Sequence, residues 1–496
     1  MKKYQNLFFQ KIKDLKSVVV HVALENAPFS KEGGLGDFVG SLPVYLAKRK
    51  FANIVFSPSY DKINEELTLI ADSYIHFNNI NFNYQLLVNE RDSVLNIFIR
   101  TEEAFSFDRV YLDGLLPYKD EISIKYFIFA KIVVDFLNRY IPDCTVITHD
   151  WHVAPIYLYL RSYKKKYRTF HIIHNFHYQG EFFSDATELF EMEIQKDIRH
   201  IFHEYNHCSF SAIAAICADQ LITVSPTYAF ELFEQTAPHP NISVLKNKQI
   251  KGILSGIDDR IWNPKVDKYL GKNYDDLTIE LKRDNKIELI KRLKMGITCE
   301  MPIISVVSRL TIQKGIDLHI NLNDPFSEKD IGQIKQMLDL GVSFIINGVP
   351  QGGIEGPIDM LFKRINKAFP DRYIYINKYT EELAHQIIAG SDLLLHLSRF
   401  EPCGLTPMYA LKYGTIPIVT PVGGLKDSVK CYFQEPGSGF GFHIEVAPTF
   451  PHFFYRLKEI LQIYNNKVEW NELMKRAMRQ QNGWEYRITE YIQLLK

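Results

Sequence analysis

The sequence predicts an α/β protein with two doubly wound, Rossmann-like domains that face a central cleft. The first observation is that short β-branched runs alternate with helix-like stretches, which is the pattern of parallel βαβ units. The second is that this alternation stops around residues 252–264 and then starts again. The third is the length of 496 residues, which suits two large domains.

The first series of strands and helices predicts an N-terminal domain over residues 1–260. Its strands are expected in the stretches SVVVHVAL, NIVFSPSY, TVITHDW, TFHIIHNF and ADQLITV. The helix after the last of these is expected to be capped by Ser225 and opened by Pro226, because these residue types favour those positions. Residues 1–16 are expected to be a polar lead-in.

The second series predicts a C-terminal domain over residues 261–475. Its strands are expected in the stretches MPIISVVSRL, GVSFIINGV, RYIYINKY, DLLLHLS and TIPIVTPV. Open parallel sheets bind ligands at the carboxyl ends of their strands. The loops that follow these runs are therefore where functional residues are expected.

Composition and charge exclude several classes of protein. Lys+Arg and Asp+Glu both number 58, so the chain lacks the basic excess of most nucleic-acid-binding proteins. Its six cysteines are widely spread with no C-x-x-C pair, which suits a reducing compartment. No apolar run approaches the ~18 residues of a membrane-spanning helix. We predict a cytoplasmic protein with neither nucleic-acid nor membrane partners.

A glycine-rich loop, KEGGLGD, follows the first predicted strand. Gly33 and Gly34 would let backbone N–H groups approach a phosphate, and the start of the following helix favours an anion. Lys31 adds a positive charge, and Asp37 ends the motif. An ordinary tight turn is the alternative, because the motif is neither a dinucleotide-binding loop nor a Walker loop.

Two motifs of the second domain place charged residues at the carboxyl ends of strands. In SRLTIQKG, Arg309 and Lys314 could clamp a diphosphate, and a solvated surface pair is the alternative. In SRFEPCGLT, Glu401 lies between a strand and a helix whose dipole would keep it ionised, and a capping role is the alternative. A further glycine pair, in VGGL, follows the next strand.

Two histidine-containing motifs, HDWH and HIIH, follow or end strands of the first domain. Their His149, Asp150, His152, His171 and His174 invite a metal interpretation. His171 and His174 would point to opposite faces of one strand, so both cannot readily reach one ion. We therefore expect no metal site. Core or loop histidines and contacts with sugar hydroxyls are the two alternatives that stay open.

In their fixed order, these motifs resemble those of the bacterial glycogen synthases and plant starch synthases, which are retaining glucosyltransferases with the GT-B fold. The resemblance runs from about residue 18 to residue 490. The matching stretches are SKEGGLGDF, THDWHVAP, IIHNFHYQG, ADQLITVSPTYAFEL, GILSGIDDRIWNP, VVSRLTIQKGIDL, EELAHQIIAGSDLLLHLSRFEPCGLTPMYALKYGTIPIV and GGLKDSV.

The resemblance implies roles for three groups of residues. The first group would contact the sugar nucleotide and line the pocket of the transferred glucose. The second would bind the diphosphate and face the sugar. The third would approach the distal phosphate with its backbone. The first group is Lys31, Gly33, Gly34, Asp37, Asp150 and His174, the second is Arg309, Lys314 and Glu401, and the third is Gly423, Gly424 and Leu425. The catalytic set would be Asp150, His174, Arg309, Lys314 and Glu401.

The resemblance also implies the reaction. Glucose would pass from ADP-glucose to the non-reducing end of an α-1,4-glucan, such as glycogen or a malto-oligosaccharide, with retention of configuration and without a metal or other cofactor. The leaving phosphate would take the proton of the acceptor, and the two cations would stabilise its charge. UDP-glucose as the donor and a catalytically inactive, glucan-binding regulatory homologue are the alternatives.

The chain departs from the pattern of the family at four single positions and in one turn, Gly348-Val349-Pro350, which stands where the family has a G-x-G-D-like turn. Glu32 replaces a Thr, Phe38 a Val and Val422 a Thr, and Ala212 stands in a run that often reads Lys-Ala-Gly. These departures leave the catalytic positions intact, but they affect residues beside the donor and acceptor. The resemblance further implies that residues 476–496 form a helix that packs back on the N-terminal domain.

Overall fold

The structure is a computed structural model that describes residues 2–61, 63, 65–101, 119–162, 167–181, 196, 199, 209–239, 242–316, 328–351, 353 and 355–496. The chain forms two compact units. One comprises Met1–Gly256 and Trp484–Lys496, and the other comprises Ile257–Gly483. The chain therefore leaves the first unit after Gly256 and returns to it at Trp484. The domain boundaries predicted from the sequence lie at residues 260 and 475.

A largely parallel sheet forms the centre of the first unit. Its described strands are β1 (Val18–Val22), β2 (Ala52–Pro58), β3 (Thr68–Phe77), β4 (Ile80–Arg91), β5 (Val94–Arg100), β6 (Thr145–His149), β7 (Arg168–Ile173), β8 (Gln220–Thr223) and β9 (Ile250–Gly252). They follow the order β3-β4-β5-β2-β1-β6-β7-β8-β9. Strand β1 pairs in parallel with both β2 and β6, so the strand order reverses between β1 and β6, as it does in a doubly wound sheet.

One edge of this sheet is antiparallel, which the sequence analysis did not predict. Strand β4 pairs in antiparallel fashion with β3 and with β5. The two connections are the two-residue turns Asn78–Asn79 and Asp92–Ser93, whose four residues all have positive φ. Positive φ at both central residues is typical of tight hairpins. Exposed and buried side chains mix along β3 and β4, so these strands lack the continuous apolar runs that identify the parallel ones.

Six described helices precede the second unit. They are α1 (Lys2–Lys13), α2 (Gly34–Ala47), α3 (Lys119–Tyr140), α4 (Ile156–Ser162), α5 (Phe210–Cys217) and α6 (Pro226–Phe233). Helix α6 begins as the sequence predicts. The side chain of Ser225 accepts a hydrogen bond from the backbone N–H of Tyr228, and Pro226 occupies the first turn.

Helix α1 shows that the expectation of a polar lead-in is wrong. Ile12 of this helix is buried, and the ring of Phe9 stacks on that of Tyr140 of α3 with centroids 4.3 Å apart. The apolar residues of the lead-in recur at helical spacing among lysines and glutamines, so an amphipathic helix covers part of the core.

The second unit contains a smaller parallel sheet. Its described strands are β10 (Ile303–Val307), β11 (Ser343–Asn347), β12 (Tyr373–Ile376), β13 (Leu393–His396), β14 (Ile416–Val419) and β15 (Phe442–His443), in the order β12-β11-β10-β13-β14-β15. Five of them lie in the predicted stretches, and β15 has only two residues. The strand order reverses between β10 and β13, which pair in parallel. The loops after these two strands therefore meet at the switch point of the sheet.

The helices of the second unit connect these strands and follow them. They are α7 (Lys282–Arg292), α8 (Glu328–Asp339), α9 (Glu355–Ala368), α10 (Glu381–Gly390), α11 (Leu405–Lys412), α12 (Gly423–Ser428), α13 (Phe450–Asn465) and α14 (Lys467–Met478). None of the helices in the described part of the chain combines the length and the apolar character needed to cross a membrane.

The last helix, α15 (Trp484–Leu495), belongs to the first unit and packs on α2. Trp484 is 1% exposed, and its ring lies 5.1 Å from that of Phe38 of α2, measured between centroids. Glu485 of α15 forms ion pairs with Lys48 and Arg49 just after α2, at N···O distances of 3.2 and 2.9 Å. A Cβ atom at Gly256 would overlap the main chain of Trp484, so this position needs glycine.

We expect Trp484→Ala to lower the free energy of unfolding of the first unit by ~3–5 kcal/mol, because it removes a large buried aromatic side chain. The measurement is equilibrium urea unfolding followed by circular dichroism. Tyr486→Ala is the matched control, since Tyr486 lies on the same helix and is 53% exposed. Equal losses in the two variants would show that α15 is not packed as described.

Candidate functional site

A buried ion pair lies at the switch point of the second sheet. Glu401 follows β13 and is 6% exposed. Its Oε2 accepts hydrogen bonds from Nε2 of His396 and Oγ of Ser398, both at 2.8 Å. The same oxygen forms an ion pair with Nζ of Lys314, which ends a short 3₁₀ turn after β10. The two motifs that the sequence analysis singled out in this domain are therefore in direct contact.

Backbone contacts hold the two loops together around this pair. The N–H of Arg399 donates to the carbonyl of Gln313 at 2.9 Å. In return, Nε2 of Gln313 donates to the carbonyl of Phe400 at 3.4 Å. Gly315 ends the 3₁₀ turn with a φ of 69°, a left-handed conformation that favours glycine. The positions of Lys314 and Glu401 are thus set by hydrogen bonds between the two loops.

The contacts of the Glu401 carboxylate explain why it is ionised. Burial alone would raise the pKa of Glu401, but the Lys314 ammonium and the hydrogen bond from His396 outweigh it and hold this pKa well below its usual range. Burial and the same ammonium lower the pKa of His396, so this imidazole is neutral and donates through Nε2. The Lys314 ammonium and the hydrogen bond from His396 therefore keep the buried carboxylate ionised.

Arg309 differs from Lys314 in its surroundings. It follows β10 in the same loop and is partly exposed. Among the residues that the structure describes, its guanidinium has no ion-pair or hydrogen-bond partner. Of the two predicted diphosphate ligands, Lys314 is therefore already matched by a carboxylate, whereas the charge of Arg309 is available to a ligand.

The last glycine pair packs against the loop of Glu401. The N–H of Gly424 donates to the carbonyl of Glu401 at 2.9 Å, and the N–H of Leu425 donates to that of Val422 at 3.0 Å. A Cβ atom at Gly424 would overlap the main chain of Cys403, so glycine permits this close approach. Two of the three amides predicted to approach a phosphate are thus bonded within the chain, and those bonds would have to open first.

The glycine loop of the first unit surrounds a carboxylate of the chain itself. Oε2 of Glu25, a buried residue after β1, accepts the N–H groups of Glu32, Gly33 and Gly36 at 2.7, 2.9 and 3.2 Å. The sequence analysis missed Glu25, although an acidic residue at the end of an apolar strand is itself a signal. Nζ of Lys31 pairs with Asp37 at 2.7 Å.

Asp150 positions the segment that carries His174. It follows β6 with a φ of 59°. Its Oδ1 accepts the backbone N–H groups of His174 and Asn175 at 2.7 and 3.2 Å. Burial raises the pKa of Asp150 to about 7, although the two N–H groups partly offset this effect, and the nearby charge of Glu25 adds to it.

Three histidines of the first unit form a hydrogen-bonded row. Nδ1 of His21 lies 3.3 Å from Nε2 of His149, and Nδ1 of His149 lies 3.1 Å from Nε2 of His174. His171 instead bonds to Oγ1 of Thr148, which agrees with the prediction that it faces away from His174. In the described part of the chain, no group of three or more His, Cys, Asp or Glu side chains is arranged to hold a metal ion.

The row of histidines is neutral near pH 7 and is covered by an aromatic side chain. Burial lowers the pKa of His21 to about 4 and that of His174 to about 3, and it lowers the pKa of His149 well below its ordinary value. The edge of the Phe38 ring packs on His149 and His174, with centroid distances of 5.6 and 4.7 Å. The departure at Phe38 therefore lies directly on the site.

Two protein-family models match this chain, one in each half of the sequence. The family description "Starch synthase catalytic domain" matches residues 18–246, and "Glycosyl transferases group 1" matches residues 290–447. The chain is 32% identical over 500 residues to a glycogen synthase of Alkaliphilus metalliredigens, covering 96% of this chain and 99% of that protein. It is 32% identical to one of Bacillus licheniformis, covering 96% and 97%.

Two solved structures are similar to this chain. The catalytic domain of starch synthase IV from Arabidopsis thaliana, bound to ADP and acarbose, gives a TM-score of 0.84 with 27% identity and covers 96% of this chain and 98% of that one. A sucrose-phosphate synthase from Thermosynechococcus elongatus gives a TM-score of 0.62 with 16% identity and covers 97% and 98%, a likeness of fold alone.

Burial of the pair at Glu401 predicts an effect on stability. We expect Glu401→Gln to lower the free energy of unfolding of the second unit by ~3–5 kcal/mol at pH 7, because the buried Lys314 ammonium loses its counter-charge. Urea unfolding measures it, and Glu435→Gln is the control, since Glu435 forms an exposed ion pair with Lys430.

The loss of unfolding free energy in Glu401→Gln should become smaller as the pH falls. The pKa of Glu401 is lower in the folded state than in the unfolded state, so its contribution is present above about pH 4.3 and is lost as the pH falls below it. The difference between wild type and Glu401→Gln should therefore shrink between pH 6 and pH 3. A difference that is constant over this range would contradict the ion pair.

Proposed function

The chain belongs to the glycogen and starch synthase family of glycosyltransferases, and on this basis we propose that it is a retaining enzyme that transfers glucose from ADP-glucose to the non-reducing end of an α-1,4-glucan. The observation that carries the chemistry is the contact between Lys314 and Glu401 at the switch point of the second sheet. In this contact, the Lys314 ammonium is the cation for the departing phosphate. The Glu401 carboxylate is the anion for a sugar that becomes cation-like.

The donor side of the proposed reaction uses three charged residues. Arg309 binds the diphosphate with a guanidinium that forks onto phosphate oxygens. A lysine ammonium has three N–H donors, so Lys314 can hold Glu401 with one and leave the others for the diphosphate. As the bond to glucose breaks, negative charge grows on the leaving phosphate, and both cations stabilise it. Glu401 faces the positive charge that develops on the sugar.

Retention is proposed without a covalent intermediate. Retaining enzymes with such an intermediate use two carboxyl groups about 5–5.5 Å apart. Among the described residues, the partners of the Glu401 carboxylate are Lys314, His396 and Ser398, none of which is a second carboxylate. We therefore assign the removal of the acceptor proton to the leaving phosphate, on the face of the sugar from which it departs.

The sugar and nucleotide assignments rest on the likeness to the starch synthase that was solved with ADP and acarbose. Lys31 and Asp37 in the glycine loop, and Asp150 and His174 after their strands, are assigned to the sugar nucleotide and the transferred glucose. UDP-glucose remains the alternative donor. The proposal includes a cytoplasmic location, which the six widely spread cysteines without a C-x-x-C pair suit.

Transfer of labelled glucose into glycogen from ADP-glucose and from UDP-glucose tests this proposal. We expect ADP-glucose to be preferred and the anomeric configuration, followed by NMR, to be retained. Arg309→Ala should lower kcat by ~10²–10³-fold, the effect of removing one donor that stabilises a developing oxyanion.

The control is Arg283→Ala, which removes an exposed arginine of the same unit that pairs with Glu300. Binding of ADP and glucan without any transfer by the wild type would favour the regulatory alternative. Wild-type rates in Arg309→Ala would remove this residue from the catalytic set.

Transfer should also survive chelation of divalent metals. The proposed site supplies two fixed cations, Arg309 and Lys314, where a metal would otherwise offset the charge of the diphosphate. The measurement is the rate of glucose transfer after treatment with EDTA, beside a sample to which Mg²⁺ is returned. A rate that disappears with EDTA and recovers with the ion would contradict this part of the proposal.

A further inference from the structure

The register of the first sheet places three histidines on one face. His21 of β1 pairs with Ile147 of β6, and His149 lies two residues beyond Ile147. His149 in turn pairs with Ile172 of β7, and His174 lies two residues beyond Ile172. Because side chains two residues apart share a face of a strand, the three rings form a row across neighbouring strands. The row ends at the carboxyl edge of the sheet, where His174 is only half-buried.

The inner end of the row starts from a group that can only accept a hydrogen bond. Nδ2 of Asn53 in β2 donates to the backbone carbonyl of Phe51 at 2.9 Å. This contact fixes the amide so that its oxygen faces inward, and Oδ1 of Asn53 lies 3.3 Å from Nε2 of His21. Nε2 of His21 must therefore carry the proton.

The direction of every further hydrogen bond follows. A neutral imidazole carries one proton, so Nδ1 of His21 is an acceptor. The adjacent Nε2 of His149 must then be the donor, and Nδ1 of His149 the next acceptor. The same step makes Nε2 of His174 a donor, which leaves Nδ1 of His174 with a lone pair.

We propose that Phe51, Asn53, His21 and His149 form a hydrogen-bonded relay that fixes His174 as its Nε2–H tautomer and so presents Nδ1 of His174 as an acceptor for a sugar hydroxyl. Asn53, His21 and His149 are positioning residues, because they act through His174. The assignment of the ligand as a sugar rests on the proposed function. The assignment of the tautomer does not, because it follows from the hydrogen bonds alone.

The other contacts of His174 restrain its main chain and its ring, so its tautomer is the property that the relay determines. Asp150 holds its backbone N–H, and the edge of Phe38 packs on its ring, so main chain and ring are both restrained. In the described part of the chain, Nδ1 of His174 has no hydrogen-bond partner. An imidazole that could exchange tautomers would offer either a donor or an acceptor there. The relay leaves only the acceptor, which selects a ligand O–H.

The tautomer can be observed directly in the full-length protein with ¹⁵N-labelled histidine. Protonated and unprotonated ring nitrogens have well-separated ¹⁵N shifts, and His174→Asn identifies the signals of His174. We expect one protonated Nε2 and one unprotonated Nδ1 for His174 in the wild type. A protonated Nδ1, or shifts averaged between the two tautomers, in the wild-type spectrum would overturn the proposal.

Variants test whether the relay causes this state. Asn53→Leu removes the inner acceptor, and we expect the His174 signals to move toward tautomer-averaged shifts. His171→Gln is the matched control, because His171 is equally buried but bonds outside the row. Unchanged His174 shifts in a folded Asn53→Leu protein would show that the relay does not set the tautomer.

Kinetics with deoxy analogues of the donor sugar test the ligand. Asn53→Leu should lower kcat/KM for ADP-glucose about fivefold, the equivalent of one hydrogen bond of ~1 kcal/mol. For the one deoxy donor that lacks the hydroxyl bound by His174, the same variant should cause no further loss. A fivefold loss with every deoxy donor would overturn the hydroxyl contact. If the wild type transfers no glucose, the proposed function fails while the ¹⁵N spectra still decide the relay.

Discussion

A buried ion pair, Lys314 with Glu401, joins the loops after the two central strands of the second sheet. Burying two charges is costly, and it is tolerated here because His396 and Ser398 add hydrogen bonds to the same carboxylate oxygen. Lys314 is thereby held at the carboxyl edge of β10, and Glu401 at that of β13. Arg309, which has no such partner among the described side chains, is left to meet a ligand of opposite charge. The ion pair thus fixes the two loops against each other, whereas the amides of Gly424 and Leu425 are bonded within the chain and would have to open before they could bind a phosphate.

The first unit uses carboxylates in a different way. Glu25 fills the ring of amides in the glycine loop, and Asp150 holds the backbone N–H groups after β7. Both carboxylates bind backbone N–H groups. This supporting role does not require either of them to take part in a reaction. They fix the loops from which Lys31 and His174 extend. A glycine-rich sequence would allow this loop many conformations. The hydrogen bonds to the buried carboxylate of Glu25 hold it in one conformation in the folded protein.

Much of this arrangement could be predicted from local patterns, and the missing parts share a physical reason. Continuous apolar runs identified the parallel strands, and the loops after them contained Lys314 and Glu401. That these two residues touch depends on β10 pairing with β13, a long-range choice with no local signal. His21 was missed because a single histidine inside an apolar strand carries no information until its neighbours across the sheet are known. The hairpins were missed because exposed and buried residues mix irregularly along β3 and β4, which gives neither a continuous apolar run nor a regular alternation.

The departures from the family pattern bear on whether the protein is an active enzyme. Glu32 contributes its backbone N–H to Glu25, a contact that any residue type except proline can make. Val422 precedes helix α12 and accepts through its carbonyl, again with the backbone. Ala212 is buried in the first turn of α5, where its N–H bonds to Ser209. Phe38 acts through its side chain, whose ring packs on His149 and His174. The described contacts of Glu32, Val422 and Ala212 run through the main chain, so these contacts do not favour a regulatory role over glucosyl transfer.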